Sequence, residues 1–132
     1  MRIVAALADR QRSVAVDVAA MIANPEFKPN ECLLNETFAE GADAVAPYVF
    51  VEPIVAGMTD RWIELCDEVR KNHMEAYKAS RIALGMSSET VFLQRTPNGD
   101  FGIIVIRSAD MGAVFKGMMS SESEFDVWFR DN

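Results

Sequence analysis

The sequence carries a single histidine, His73, with Tyr77 and Ser80 following it at helical spacing. Imidazole is the side chain whose ordinary titration lies nearest neutrality, so a histidine facing a cleft can give and take protons. Trp62 begins the same helical stripe. Together Trp62, His73, Tyr77 and Ser80 form a candidate ligand-binding wall, apolar at one end and polar at the other. Glu52 is the other group of interest. It follows Tyr48 and Phe50 at alternate positions, and a carboxylate flanked by aromatic rings can have a raised pKa and act as a base. His73, Tyr77 and Glu52 are thus the candidate catalytic residues. A plainer reading stands beside each. His73 and Ser80 can satisfy partners at the margin of a core, and Glu52 can pair with Arg95 or Arg107 across a sheet or face solvent.

No Ser-His-Asp or Cys-His arrangement can be read. Gly99-Asp100-Phe101-Gly102 is a hairpin turn and not a phosphate loop, because no helix follows it. One histidine without clustered ligands gives no metal site, and no cofactor is expected. Met58, Met74, Met86, Met111, Met118 and Met119 are numerous for the length. They suit either an ordinary core or an adaptable apolar pocket.

These residues need elements to place them. Trp62, Cys66, Val69, His73, Ala76, Ser80 and Leu84 recur at intervals of three and four, which predicts one long helix over 59–84 with this stripe buried. Thr59 would cap it, Gly85 would end it, and Arg81 would sit in its last turn near the negative end of the dipole. Residues 48–55, 90–95 and 101–107 read as strands, the last two joined by a turn around Asn98-Gly99. The strand 101–107 is apolar on both faces, and such a strand is covered on both sides. Asp110 would cap a helix over 111–119. Phe125, Trp128 and Phe129 predict a final helical turn closing one end of the core, with Asp126 and Arg130 paired on its solvent side.

Residues 1–46 show weaker periodicity. A helix capped by Ser13 is expected to run to about 23, and a second short helix to carry Cys32, Leu33, Leu34 and Phe38 between Asn30 and Gly41. The chain therefore divides into an N-terminal extension, 1–46, partly helical, and a main domain, 47–132. Its 132 residues include 13 Lys and Arg against 20 Asp and Glu, a net charge of −7. That balance argues against nucleic acid and anionic membrane surfaces. No apolar run reaches the roughly 20 residues of a membrane span, and a cytoplasmic location is expected. Cys32 and Cys66 have no ligand spacing and are expected to be reduced, buried thiols.

The order strand, helix, hairpin, helix resembles the dimeric α/β-barrel superfamily of ferredoxin-like proteins, which includes antibiotic-biosynthesis and haem-degrading monooxygenases. Ser80-Arg81-Ile82-Ala83-Leu84-Gly85, the run from Phe92 to Asp100 and Phe125-Asp126-Val127-Trp128-Phe129-Arg130 resemble a small uncharacterised bacterial family of that type. The resemblance covers about residues 48–130. It implies an α+β fold, a β-α-β-β-α sandwich with an antiparallel sheet and helices on one face. It also implies a homodimer formed through the sheet and a ligand site between helices and sheet. A haem role for His73 would follow only by analogy, without a second haem-specific feature. Three functions remain open: a binding protein for a small apolar molecule, a cofactor-independent monooxygenase or isomerase acting on an aromatic or polyketide-like substrate, and a structural subunit using 1–46 as a docking arm.

Overall fold

The computed structural model describes residues 30–132. The expected helix ending near residue 23 lies outside them. The described elements are strand β1 (Glu31–Thr37), a short 3-10 turn (Ala42–Ala44), strand β2 (Pro47–Pro53), helices α1 (Thr59–Asn72) and α2 (Met74–Ala83), strands β3 (Met86–Thr96) and β4 (Gly99–Ser108), and helices α3 (Met111–Ser120) and α4 (Glu124–Asp131). The strands form one open sheet in the order β1-β3-β4-β2, with every neighbouring pair antiparallel. It is an α+β fold. β2 and β3 run parallel with β4 between them, joined by the α1–α2 crossover. The fourth strand, β1, precedes this β-α-β-β-α unit and lies on the edge beside β3.

Register sorts the side chains by face, because residues opposite one another in an antiparallel pair point the same way. Phe50 faces Ile104, which faces Val91, and Val91 faces Leu34. This row carries the helices. Leu34, Val91 and Leu93 join Cys66 and Val69 of α1, Tyr77 of α2 and Phe125 of α4 in one core cluster. Met86, Ile106, Met111 and Val114 form the second, under α3. The opposite face carries Val49, Val51, Ile103, Val105, Thr90 and Phe92. Val49 and Val51 are exposed, and Ile103, Val105 and Phe92 are half-buried.

Several expectations are corrected. Residues 31–37 form a strand and not a short helix, because β3 offers them a ladder and a bulge between Cys32 and Leu34 lets the consecutive Leu33 and Leu34 both turn inward. The boundary at 46/47 accordingly does not mark the limit of the sheet. The helix expected over 59–84 breaks at His73, whose backbone (φ −130°, ψ 16°) leaves the helical region. Beyond that break the buried face of α2 is Tyr77, Ser80 and Arg81, while Ala76 is exposed. Asp126, expected in solvent opposite Arg130, is buried, and Arg130 instead donates to the Met118 carbonyl. Cys32, expected buried, is exposed.

Helix ends follow local chemistry. Asp110 caps α3 by accepting from the Ala113 N–H at 3.0 Å, and Ser123 caps α4 by accepting from Asp126 N–H at 3.2 Å. Thr59, expected as a cap, is the first residue of α1, and its hydroxyl donates to Asp100 at 2.7 Å, tying the helix to the β3–β4 turn. Gly85 follows α2 with φ +88°, the left-handed conformation that glycine adopts without strain.

Candidate functional site

A cavity of about 250 Å³ lies between the helix layer and the sheet. Its walls include Trp62 of α1, Phe50 of β2, Phe115 of α3 and Phe129 of α4, with Val91, Ile104 and Ile106 as its floor. Gly102 opposes Trp62 closely: a Cβ at that position would come within 2.9 Å of the indole ring. The missing side chain on β4 is what lets Trp62 lie down on the sheet and form a wall. Phe50 and Phe115 meet edge to face with centroids 5.1 Å apart. Glu52, on the edge strand β2, is exposed and stands where the cavity approaches solvent.

The inner end is polar and charged. Tyr77, Arg81 and Glu89 all line the cavity, and all three are buried. The Tyr77 hydroxyl donates to Glu89 Oε1 at 2.6 Å, and Arg81 Nε donates to the same oxygen at 3.3 Å. Arg81 Nη1 donates to Ser80 Oγ at 3.1 Å and to Asp126 Oδ1 at 3.5 Å. The guanidinium also lies 5.0 Å from the Tyr77 ring centroid, 5.1 Å from Phe129 and 5.7 Å from Phe125, so its faces are held by rings as its edges are held by carboxylates. Burial, followed by the charge and hydrogen bond of Glu89, pushes the Tyr77 hydroxyl well above its ordinary range. It is a hydrogen-bond donor here and not a base. Burial likewise pushes the Cys66 thiol up to about 11, with Arg70 opposing and Glu89 adding to the effect. Cys66 is a buried thiol on the cavity wall, in surroundings that favour its neutral form.

Of the residues singled out from the sequence, Glu52, Trp62 and Tyr77 meet on this cavity. His73 and Ser80 do not join them. His73 stands at the α1–α2 junction with its ring 4.2 Å from that of Trp128. Ser80 donates to Asp126 Oδ1 and lines a separate groove of about 500 Å³ between α2, α3 and α4. That groove is walled mainly by small residues such as Ala76, Ala79 and Ala83, and its one carboxylate, Asp126, is already fully engaged. Arg81 and Glu89 are the polar cavity residues that the sequence does not single out. The signal available was an arginine four residues beyond Tyr77, on the helix face that turns inward after the break.

Asp126 carries a prediction. Burial opposes its ionisation, but hydroxyl donors from Ser121, Ser80 and Ser123 and the charge of Arg81 prevail, and the carboxyl titrates below its ordinary range. A carboxyl lowered on folding stabilises the protein above its unfolded-state pKa, about 3.9, and that contribution is lost as pH falls through the lower folded value. Wild type should therefore lose urea resistance below about pH 4 more steeply than Asp126→Asn, the two converging in acid. Parallel curves would overturn this account of Asp126.

The described residues contain no group of His, Cys, Asp and Glu able to hold a metal ion, and no described helix is long and apolar enough to cross a membrane. Comparison with known proteins returns no match: no protein-family model, curated protein or solved structure corresponds to this chain.

Proposed function

We propose that the chain is a homodimeric binding protein of the dimeric α/β-barrel type that holds a small, largely apolar molecule between its helices and sheet. The observation that carries this reading is the cavity itself, a ring-lined space of about 250 Å³ ending on the buried Tyr77–Arg81–Glu89 cluster. Ligand sites are typically apolar concavities with a few convergent polar groups. The volume suits a single-ring ligand, since benzene enters an engineered apolar cavity of roughly 150 Å³. The split crossover through α1 and α2, with β4 between β2 and β3, supports the ferredoxin-like part of the proposal.

The dimer part draws support from the outer sheet face. Val49 and Val51 are 58 % and 47 % exposed there, beside Val105 and Ile103. A contiguous apolar strip of this kind suits a second copy laid sheet against sheet.

Toluene tests the binding reading. Added to the purified full chain, it should shift the methyl resonances of Val91, Ile104 and Ile106 and saturate, leaving the outer-face Val49 unmoved. No saturable shift would overturn the reading. Sedimentation equilibrium tests the dimer, which should dissociate on Val49→Lys with Val51→Lys. A wild-type chain that is monomeric at all concentrations would remove that part of the proposal.

A further inference from the structure

The hydrogen bonds of the buried cluster are unevenly used. Glu89 Oε1 takes both the Tyr77 hydroxyl and Arg81 Nε, while Oε2 accepts none. Arg81 spends Nε and Nη1 on Glu89, Ser80 and Asp126, while Nη2 donates to no protein atom. Arg81 is 2 % exposed and Glu89 5 %. Yet no fully enclosed side-chain nitrogen or oxygen among the described residues lacks a partner. Nη2 and Oε2 therefore keep access to some open space, and the space that both residues line is the cavity. A guanidinium N–H and a carboxylate oxygen with access to one cavity can offer a ligand both a donor and an acceptor. Buried polar groups of this kind are completed by water or by a ligand.

Charge then decides which ligand. The cluster holds one cation, Arg81, between two carboxylates, Glu89 and Asp126, so its formal charge is negative before any ligand arrives. An anionic ligand would meet Glu89 inside a space of low dielectric, where like charges repel far more strongly than in water. A cationic one would find Glu89 already engaged by Arg81 and would lose its own hydration. The rings of Trp62, Phe50, Phe115 and Phe129 supply flat apolar walls around the rest.

We infer, resting on the binding function proposed above, that the ligand is a neutral single-ring molecule bearing a carbonyl next to an N–H or O–H, such as an aromatic carboxamide or lactam. Its carbonyl accepts from Arg81 Nη2, and its N–H or O–H donates to Glu89 Oε2. A site built to hydrogen-bond such a group discriminates strongly against analogues that lack it, because its own buried groups are then left unpaired.

The experiment compares three ligands of one shape on the full-length wild-type chain at pH 7: benzamide, benzoate and toluene, titrated by the same methyl resonances. Benzamide should bind about tenfold more tightly than toluene, the value of one to two net hydrogen bonds. Benzoate should bind at least about tenfold more weakly than benzamide. Benzoate equal to or tighter than benzamide, or toluene equal to benzamide, would overturn the inference while leaving the binding cavity standing. Failure of all three to bind would overturn the cavity reading as well.

Discussion

Arg81→Met is expected to lower the unfolding free energy by about 3–5 kcal/mol, the usual cost of removing one partner from a buried ion pair. Methionine nearly fills the volume, so the loss is not chiefly one of packing. It arises because Glu89 and Asp126, 5 % and 7 % exposed, keep their burial and lose their cation. The surface pairs give the contrast. Lys78–Glu36 at 3.5 Å and Lys71–Asp67 at 3.9 Å have lysine side chains 45 % and 71 % exposed, and removing either lysine should cost about 1 kcal/mol or less. Glu89→Gln, combined with Arg81→Met, removes the stranded charge while leaving an amide oxygen to accept from Tyr77. The double variant should recover a substantial part of the loss, giving a coupling of roughly 1–3 kcal/mol in a double-mutant cycle. Urea denaturation at pH 7 reads all of these. A cost below about 1 kcal/mol for Arg81→Met would show that the cluster is solvated, contrary to its position beneath α4.

The reason Arg81 escapes a reading of the sequence is physical. A cation in the last turn of a helix is ordinarily a favourable, solvated partner of the dipole. Here its carboxylate partners are Glu89 of β3 and Asp126 of α4, the latter 45 residues further on, so nothing local marks it as buried. The break at His73 compounds this. Neither proline nor glycine announces it, and it moves the inward face of α2 from the extrapolated stripe, Ala76 included, to Tyr77, Ser80 and Arg81. Strand β1 was hidden for another reason. Its two buried leucines are consecutive and not alternate, because of the bulge, so the period that identifies a strand is absent. What could be read were the elements whose own chemistry determines them. The Asn98-Gly99 hairpin, the β-branched strands β2 and β4, the Asp110 cap and the first half of the helical stripe each carry a local signal. Trp62, Tyr77 and Glu52 could be picked out because aromatic and acidic residues on a predicted inner face are informative singly. Arg81 and Glu89, at the polar end of the cavity, could not, because the burial of each depends on its pairing with the other.

Truncation after Ser123 should be the most damaging change of all, because it removes α4 at both its apolar and its polar contacts. Phe125 is buried, while Trp128 and Phe129 are half-buried. Phe125 meets Tyr77 edge-on with centroids 6.0 Å apart, and Trp128 covers His73 at the α1–α2 junction. Transfer of each ring from water contributes up to about 1.5–3 kcal/mol, the half-buried pair less than Phe125. The same cut deletes Asp126, leaves the Ser80 hydroxyl without its acceptor, and uncovers an Arg81 guanidinium that Phe125 and Phe129 otherwise enclose. Several kcal/mol are therefore at stake against the ~5–15 kcal/mol typical of a whole domain. The truncated chain should be unfolded or insoluble at 37 °C. Phe125→Ala within the full chain isolates the packing part and should cost about 3–5 kcal/mol, whereas Val127→Ala, on the exposed side of the same helix, should cost under about 1 kcal/mol. Thermal melts and urea midpoints of the three chains measure this ranking. A truncated chain that melts with wild type would mean that α4 is an ornament on the sandwich, and the Arg81 cluster would then have to be stable without its roof.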